Sequence, residues 1–202
     1  MKKNKGILFV VSGPSGAGKT TLYKKAISVL PNLKHSVSFT TRSPRPGEVD
    51  DRDYTFIARD KFMVMVHKRE FAEWAEIHGE FYGTSKRRLK EIVDSGVDAI
   101  LDIDVQGAIQ LKKKFKGGIY IFILPPSLEV LRERLEKRMV NAKEEIEKRL
   151  EVAVEEVKRY REYDYVIVNS VLEDAFMELE STIIASRART KRVNPEWIKE
   201  NF

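Results

Sequence analysis

With 202 residues, 42% of them apolar, the chain is long enough to bury a core and too apolar for wholesale disorder. It contains no cysteine, which excludes disulfide frameworks and thiolate metal sites, and no apolar run nears the roughly 20 residues of a membrane span. A formal charge of +6, from 37 Lys and Arg against 31 Asp and Glu, fits either a nucleic-acid surface or arginines aimed at small phosphates.

The basic residues are dispersed, except at Lys112–Lys114 and Ser186–Arg192. They are not interleaved with aromatics as a nucleic-acid platform requires, so small phosphates are favoured over nucleic acid. Met1–Lys5 is basic but is not followed by a signal-peptide cleavage pattern, and a cytoplasmic chain free of membrane is expected. His35, His67 and His78 show no ligand spacing and are expected in loops or on the surface.

Ile7–Val11 is a short, continuous apolar run, the pattern of a strand buried on both faces of a parallel sheet. It leads into Gly13-Pro14-Ser15-Gly16-Ala17-Gly18, and a helix is expected from Lys19 to about Leu30, stopped by Pro31. Further buried strands are predicted at Asp98–Ile103, Ile119–Leu124 and Tyr165–Val168. Helical patterns lie between them, and this alternation predicts an α/β fold with a parallel sheet flanked by helices.

The stretch from Ser36 to Lys90 breaks the rhythm with Pro44, Pro46, Gly47 and the aromatics Phe56, Phe71, Trp74, Phe81 and Tyr82. It reads as an inserted subdomain of short strands and a helix. From Leu128 to Lys148 the chain is helical and densely charged, with a weak break over residues 139–142. From Ile146 through Leu150, Ala153, Val154, Val157 and Tyr160 the apolar positions follow a helical period. A last helix is expected over Leu172–Ala188, and Lys191–Phe202 reads as a tail docked by Trp197.

Gly13 to Thr20 satisfies G-x-x-x-x-G-K-[ST]. Its glycines let backbone N–H groups turn inward into a nest for phosphate, and the positive end of the following helix faces the same anion. Lys19 can bridge the β- and γ-phosphates of ATP, and the Thr20 hydroxyl can sit on Mg²⁺. Such a cradle alone does not name the reaction.

Arg42 and Arg45 flank a rigid Ser-Pro turn, which suits bidentate capture of a phosphate monoester with help from a tyrosine hydroxyl. Read alone, two surface arginines on a solvated loop fit equally well. Asp102 and Asp104 close the strand ending at Ile103, where an open α/β sheet binds its ligands. Arg134 and Arg138 share one helix face, and in so charged a stretch pairing with Glu133, Glu136 or Glu145 is the default; Arg149 borders the apolar stripe, and a stem lying over that stripe is the default there.

The blocks SGPSGAGKTTL, SVSFTTRSPRPGE, DYTF, FAEWAEIHGEFYGTS, LDIDVQG, PPS, RLEKR, EKRL and VIVN run in order from Ile7 to about Ala188. In this the sequence resembles guanylate kinases. The resemblance implies a P-loop core over 1–37, 91–127 and 151–202, a GMP-binding insert over 38–90 and a helical lid over 128–150. It implies ATP and Mg²⁺ as cofactors, GMP or dGMP as acceptor, and no nucleic-acid partner.

Residue by residue, the resemblance implies catalytic roles for Lys19, Arg42, Arg138 and Arg149. ATP would be held by Gly13, Pro14, Ser15, Gly16, Ala17, Gly18, Lys19, Thr20 and Thr21, with Arg134 and Asn169. Arg42, Arg45, Tyr54 and Tyr82 would take the GMP phosphate. The base and its surroundings fall to Ser38, Glu73, Gly83, Thr84 and Asp104. Thr20, and Asp102 through water, would serve the metal.

Guanine presents N–H donors at N1 and N2 and an acceptor at O6. A carboxylate at Glu73 with hydroxyls from Thr84 and Ser38 would select it, whereas adenine would leave that carboxylate facing a lone pair. Two departures stand out: Met139 where many relatives have glycine after the second lid arginine, and Thr84 where some have serine. A non-catalytic phosphopeptide-binding module, a kinase acting on another phosphate acceptor and a basic nucleic-acid binder remain as alternatives. The intact Gly18-Lys19-Thr20 counts against the first, and the Glu73, Tyr82 and Thr84 set against the second. The third requires a steep loss of binding with salt.

Overall fold

Leu8–Ser12 (β1) is buried at every residue, as a central strand covered on both faces must be. In this computed structural model, which describes residues 5–77, 79–138 and 143–202, it leads into α1 (Lys19–Val29) and β2 (Leu33–His35). There follow β3 (Phe39–Thr40), β4 (Thr55–Phe56), α2 (Arg59–His67), β5 (Phe71–Ile77) and β6 (Glu80–Ser85). The chain continues through α3 (Lys86–Asp94), β7 (Asp98–Asp102), α4 (Val105–Lys114), β8 (Ile119–Leu124), α5 (Leu128–Arg138) and α6 (Lys143–Val157). It ends with β9 (Tyr165–Val168), α7 (Leu172–Arg187) and α8 (Pro195–Asn201).

The main sheet has the order β2-β7-β1-β8-β9 with every pair parallel. On one face, Phe9, Val11 and Ile121 meet Leu22 and Ala26 of α1 and Phe176, Leu179 and Ile183 of α7. On the other, Leu8, Val10 and Leu101 meet Leu89 of α3 and Ala108 and Leu111 of α4. The expected α/β class, parallel sheet and alternation of strands and helices are all present. Asp98 ties this layer to both ends of the chain, since its buried carboxylate accepts from Ile7 N at 2.6 Å and Arg187 Nε at 2.7 Å.

The interrupting stretch forms a second sheet, β4-β3-β6-β5, in which β6 runs antiparallel to both neighbours. It has its own core of Phe39, Phe62, Phe71 and Phe81. Beyond the main sheet, α5 and α6 close on Leu131, Leu135, Ile146, Leu150 and Ala153.

Four expectations need correction. Tyr165–Val168 (β9) is a strand but not a buried one, because it lies at the sheet edge and leaves Val166 and Val168 exposed. His35 is a strand residue stacked on Tyr23 at 4.6 Å, and burial lowers its pKa. The helical stripe from Ile146 is only partly a buried one, because Val154 and Tyr160 are 39% exposed and α6 ends at Val157. Trp197 is a poor anchor for the tail: it is 41% exposed and joins none of the buried core clusters among the described residues, its ring partner being the exposed Phe202 at 6.0 Å. The tail is held instead by polar contacts such as Arg192 Nη2 to Lys5 O at 2.8 Å. His67 is exposed at the end of α2 as expected; His78 and the expected break at 139–142 lie outside the described residues.

Phe62 is wholly buried and stacked on Phe71 at 4.4 Å and Phe81 at 5.4 Å. Phe62→Ala is expected to cost about 3–5 kcal/mol. Trp74, within 6.5 Å of the Phe62 ring, reports the loss as a lower denaturant midpoint by fluorescence; an unchanged midpoint would contradict this account of the second core.

Candidate active site

The loop after β1 turns through Gly13, Gly16 and Gly18 at φ of 137°, 92° and 93°. Gly18 caps α1 without any side-chain bond to the helix start, leaving first-turn N–H groups and the positive helix end open to an anion. A Cβ at Gly18 would lie 2.2 Å from Asn169 Nδ2. That close approach matters because Asn169 Nδ2 donates to Ala17 O at 2.8 Å. Arg134 Nη2 donates to Asn169 O at 2.9 Å, so the two residues brace the loop from outside. Lys19 turns back onto its own loop, donating to Gly13 O at 2.7 Å and Pro14 O at 3.1 Å. Thr20 Oγ1 donates to Asp102 Oδ2 at 2.9 Å, joining the cradle to the end of β7. Ser15 is exposed and lines the cleft, and Thr21 is exposed on α1.

The second sheet builds the far end. β5 and β6 set Glu73 opposite Thr84, and the Thr84 hydroxyl donates to Glu73 Oε1 at 2.5 Å. Glu73 is only 2% exposed. Burial is the main reason its pKa rises to about 7; Asp104 adds to the rise, while Thr84 and Lys114 oppose it. Asp104 caps α4 by accepting from Gln106 N at 3.0 Å and Gly107 N at 3.2 Å, and burial raises its pKa too. A Cβ on Gly107 would lie 2.5 Å from Glu73 Oε2, so the seat of this carboxylate depends on glycine there. Ser38 is buried beside the cleft, and Gly83 on β6 lines it.

Between the two ends, Arg42 donates from Nε to the Tyr82 hydroxyl at 3.2 Å and lies over the Tyr54 ring at 5.3 Å. Its Nη1 and Nη2 grip Glu48 at 2.8 and 2.9 Å. Arg45 stands exposed on the rim. One cleft of about 1150 Å³ takes in the cradle, Arg42, Tyr54, Glu73, Tyr82, Asp102 and Asp104.

α6 supplies the remaining wall. Arg149 lines the cleft and donates to Glu145 Oε1 at 2.7 Å, while its buried Nε has no acceptor among the described residues. Arg134 pairs with backbone carbonyls instead, and the side chain of Arg138 lies outside the described part. Two turns after Arg149, Glu156 faces the same cleft, its pKa raised by burial to about 7 against the pull of Lys19. Sequence reasoning missed Glu48, Gly107 and Glu156 as site residues. Glu48 and Gly107 sit inside the recognised blocks, and Glu156 follows Arg149 at helical spacing on the cleft face.

Residues 5–186 match the guanylate kinase family. The guanylate kinase of Geobacter metallireducens is 54% identical over 99% of this chain and 98% of its own length. That of Geobacter sulfurreducens is 54% identical over 95% and 94%. The crystal structure of guanylate kinase from Anaplasma phagocytophilum superposes with a TM-score of 0.82 at 34% identity, covering all of this chain and 97% of that one. With its full length matched at such identity and its fold shared, this chain belongs to the guanylate kinase family.

Proposed function

We infer that the chain transfers the γ-phosphoryl group of ATP to GMP, and to dGMP, reversibly and with Mg²⁺, giving ADP and the guanosine diphosphate. The observation that carries this reading is the pairing of two unlike ends in one cleft. A phosphate cradle lies at one end and a buried Glu73–Thr84 pair at the other. The same reading puts the chain in the cytoplasm, with small molecules rather than nucleic acid as partners; no described helix is long and apolar enough to cross a membrane.

Under this reading, the backbone N–H groups of residues 13–20 and Lys19 hold the ATP phosphates. Arg42, Arg45, Tyr54 and Tyr82 hold the GMP phosphate, and Glu73, Thr84, Ser38 and Asp104 read the base. Thr20 and Asp102 suit Mg²⁺, because a hydroxyl and a carboxylate 2.9 Å apart offer hard oxygen donors at the cradle's edge. When bound, Mg²⁺ neutralises charge on the transferring phosphates.

The acceptor needs no general base, since a phosphate monoester with a second pKa near 6 is mostly dianionic at neutral pH. The protein's task is in-line positioning and charge neutralisation. We take 38–90 as the moving insert and 128–150 as the lid, whose closure excludes water and brings Arg138 and Arg149 to the phosphates.

Lys19→Ala is expected to lower kcat by about 10²- to 10³-fold with circular dichroism unchanged. Turnover close to that of the parent would remove Lys19 from the mechanism. Glu73→Gln keeps the shape but loses charge-assisted acceptance, so kcat/KM for GMP should fall about 10- to 100-fold while KM for ATP holds; equal losses for both nucleotides would count against base recognition.

Guanine donates N–H groups, so it prefers ionised Glu73. Guanosine, which lacks the titrating phosphate, should bind more tightly as pH rises and level off above about 7. Below that its affinity should fall about tenfold per pH unit. A flat inhibition profile through this range would mean that Glu73, with Asp104 and Lys114 facing it, does not take a proton in the empty site.

A further inference from the structure

Arg42 has five N–H donors in a planar fork, and their arrangement defines which edge a phosphate can meet. The end edge, Nη1 and Nη2, is filled by both oxygens of Glu48 at 2.8 and 2.9 Å. The second Nη1 hydrogen goes to Ser43 O at 2.7 Å, and Nε–H goes to the Tyr82 hydroxyl at 3.2 Å. Among the described residues, what remains is one Nη2–H on the edge it shares with Nε, beside Tyr82. The rings of Tyr54 and Phe56 lie 5.3 and 5.8 Å from the guanidinium carbon.

Glu48 is itself anchored, since its Oε2 also accepts from Arg45 N at 2.7 Å. Both partners are largely shielded, with side chains 14% and 20% exposed. Against the cost of burial, Arg42 and the Arg45 N–H hold the Glu48 carboxyl below the usual carboxylate range. It is therefore an anion throughout the neutral range.

We propose that Glu48 is a positioning residue for the acceptor phosphate, clamping Arg42 so that only its Nε/Nη2 edge and the Tyr82 hydroxyl face the incoming nucleotide. This rests on the reading of Arg42 and Tyr82 as phosphate ligands. A guanidinium fixed in plane and edge loses little freedom on binding, and it holds the acceptor oxygen in a set direction. The competing idea makes Glu48 a stand-in anion that GMP must expel. It requires the carboxylate to leave both the fork and the Arg45 N–H, although one Nη2–H beside the Tyr82 hydroxyl already faces away from Glu48.

The two ideas predict opposite signs. Removing a negative charge beside a phosphate site helps binding on charge alone, and expelling nothing would help further. A lost clamp hurts binding. In the full-length chain, Glu48→Gln should raise KM for GMP about tenfold and change kcat less, with KM for ATP unmoved. Guanosine, which lacks the phosphate, should inhibit Glu48→Gln and the parent equally. Glu48→Asp, which keeps the charge, should recover part of the loss.

A KM for GMP that stays level or falls in Glu48→Gln would overturn the clamp. So would a matching loss of guanosine affinity, because that marks general damage to the insert. Failure of the unsubstituted chain to phosphorylate GMP in the same assay would overturn the acceptor reading itself, and the proposal with it.

Discussion

Bringing two phosphate-bearing molecules within bonding distance sets anion against anion, and the cleft is organised around that repulsion. Cations must be present before either substrate arrives, yet a bare cation in a half-buried site is itself costly. Each described cation assigned to phosphate at the cradle, the Arg42 fork and the α6 wall is held by an internal acceptor. Lys19 sits on two loop carbonyls, Arg134 on Asn169 O, Arg42 on Glu48 and Arg149 on Glu145. The acceptors differ in kind, and the difference carries meaning. Neutral carbonyls are given up readily for a phosphate oxygen, because a cation is drawn more strongly to a charged oxygen than to a carbonyl dipole. A bidentate carboxylate is not, so Lys19 is placed to exchange partners while Arg42 is placed to stay.

Sheet topology puts these groups in one place. β1 lies between β7 and β8 in a fully parallel sheet, so the C-terminal ends of the strands open on the same edge. The cradle leaves β1 there, Asp102 ends β7 there, and Asp104 starts α4 from the same edge. Asn169, just past β9, reaches back to Ala17 across 152 residues of sequence. The second sheet then faces this edge, with Glu73 directed at Gly107 of α4. The two sheets meet through a glycine whose missing side chain leaves room for a carboxylate.

Much of this was legible from sequence, for reasons that differ by region. Strands buried on both faces announce themselves as unbroken apolar runs, and Ile119–Leu124 was bounded as found; Tyr165–Val168 was bounded as found too, but an unbroken apolar run did not distinguish this edge strand, with Val166 and Val168 exposed, from a buried one. The cradle is local, so its spacing carries its geometry. The tail failed because a lone Trp197 was read as an anchor although nothing in the sequence supplies a surface for it. His35 was misread because its partner, Tyr23, comes from another element. Glu73 is the sharper case: beside Trp74 in a short strand it looks like a solvated acid, and only the resemblance marked it. Its burial comes from Thr84 across the sheet and from α4 beneath, contacts that no local pattern encodes. Glu48 has no visible role in the sequence, since a clamp on Arg42 depends on the fold of the turn between them.

The raised pKa of Glu73 and the clamped charge of Glu48 are two answers to the same burial problem. Glu48 meets a guanidinium and the Arg45 N–H, so its charge is compensated at all times and its geometry is constant. Glu73 meets one hydroxyl and another acid, so its charge is poorly compensated until a donor arrives. A ligand with two N–H groups supplies that compensation, whereas one presenting a lone pair adds to the deficit. Under the proposed base reading, selectivity would follow from leaving a buried carboxylate incompletely satisfied, a cost in the empty state that the correct base removes. The phosphate end needs no such choice, because every nucleotide monophosphate offers the same oxygens. A rigid, fully compensated fork serves it best, and the base end alone is left to discriminate.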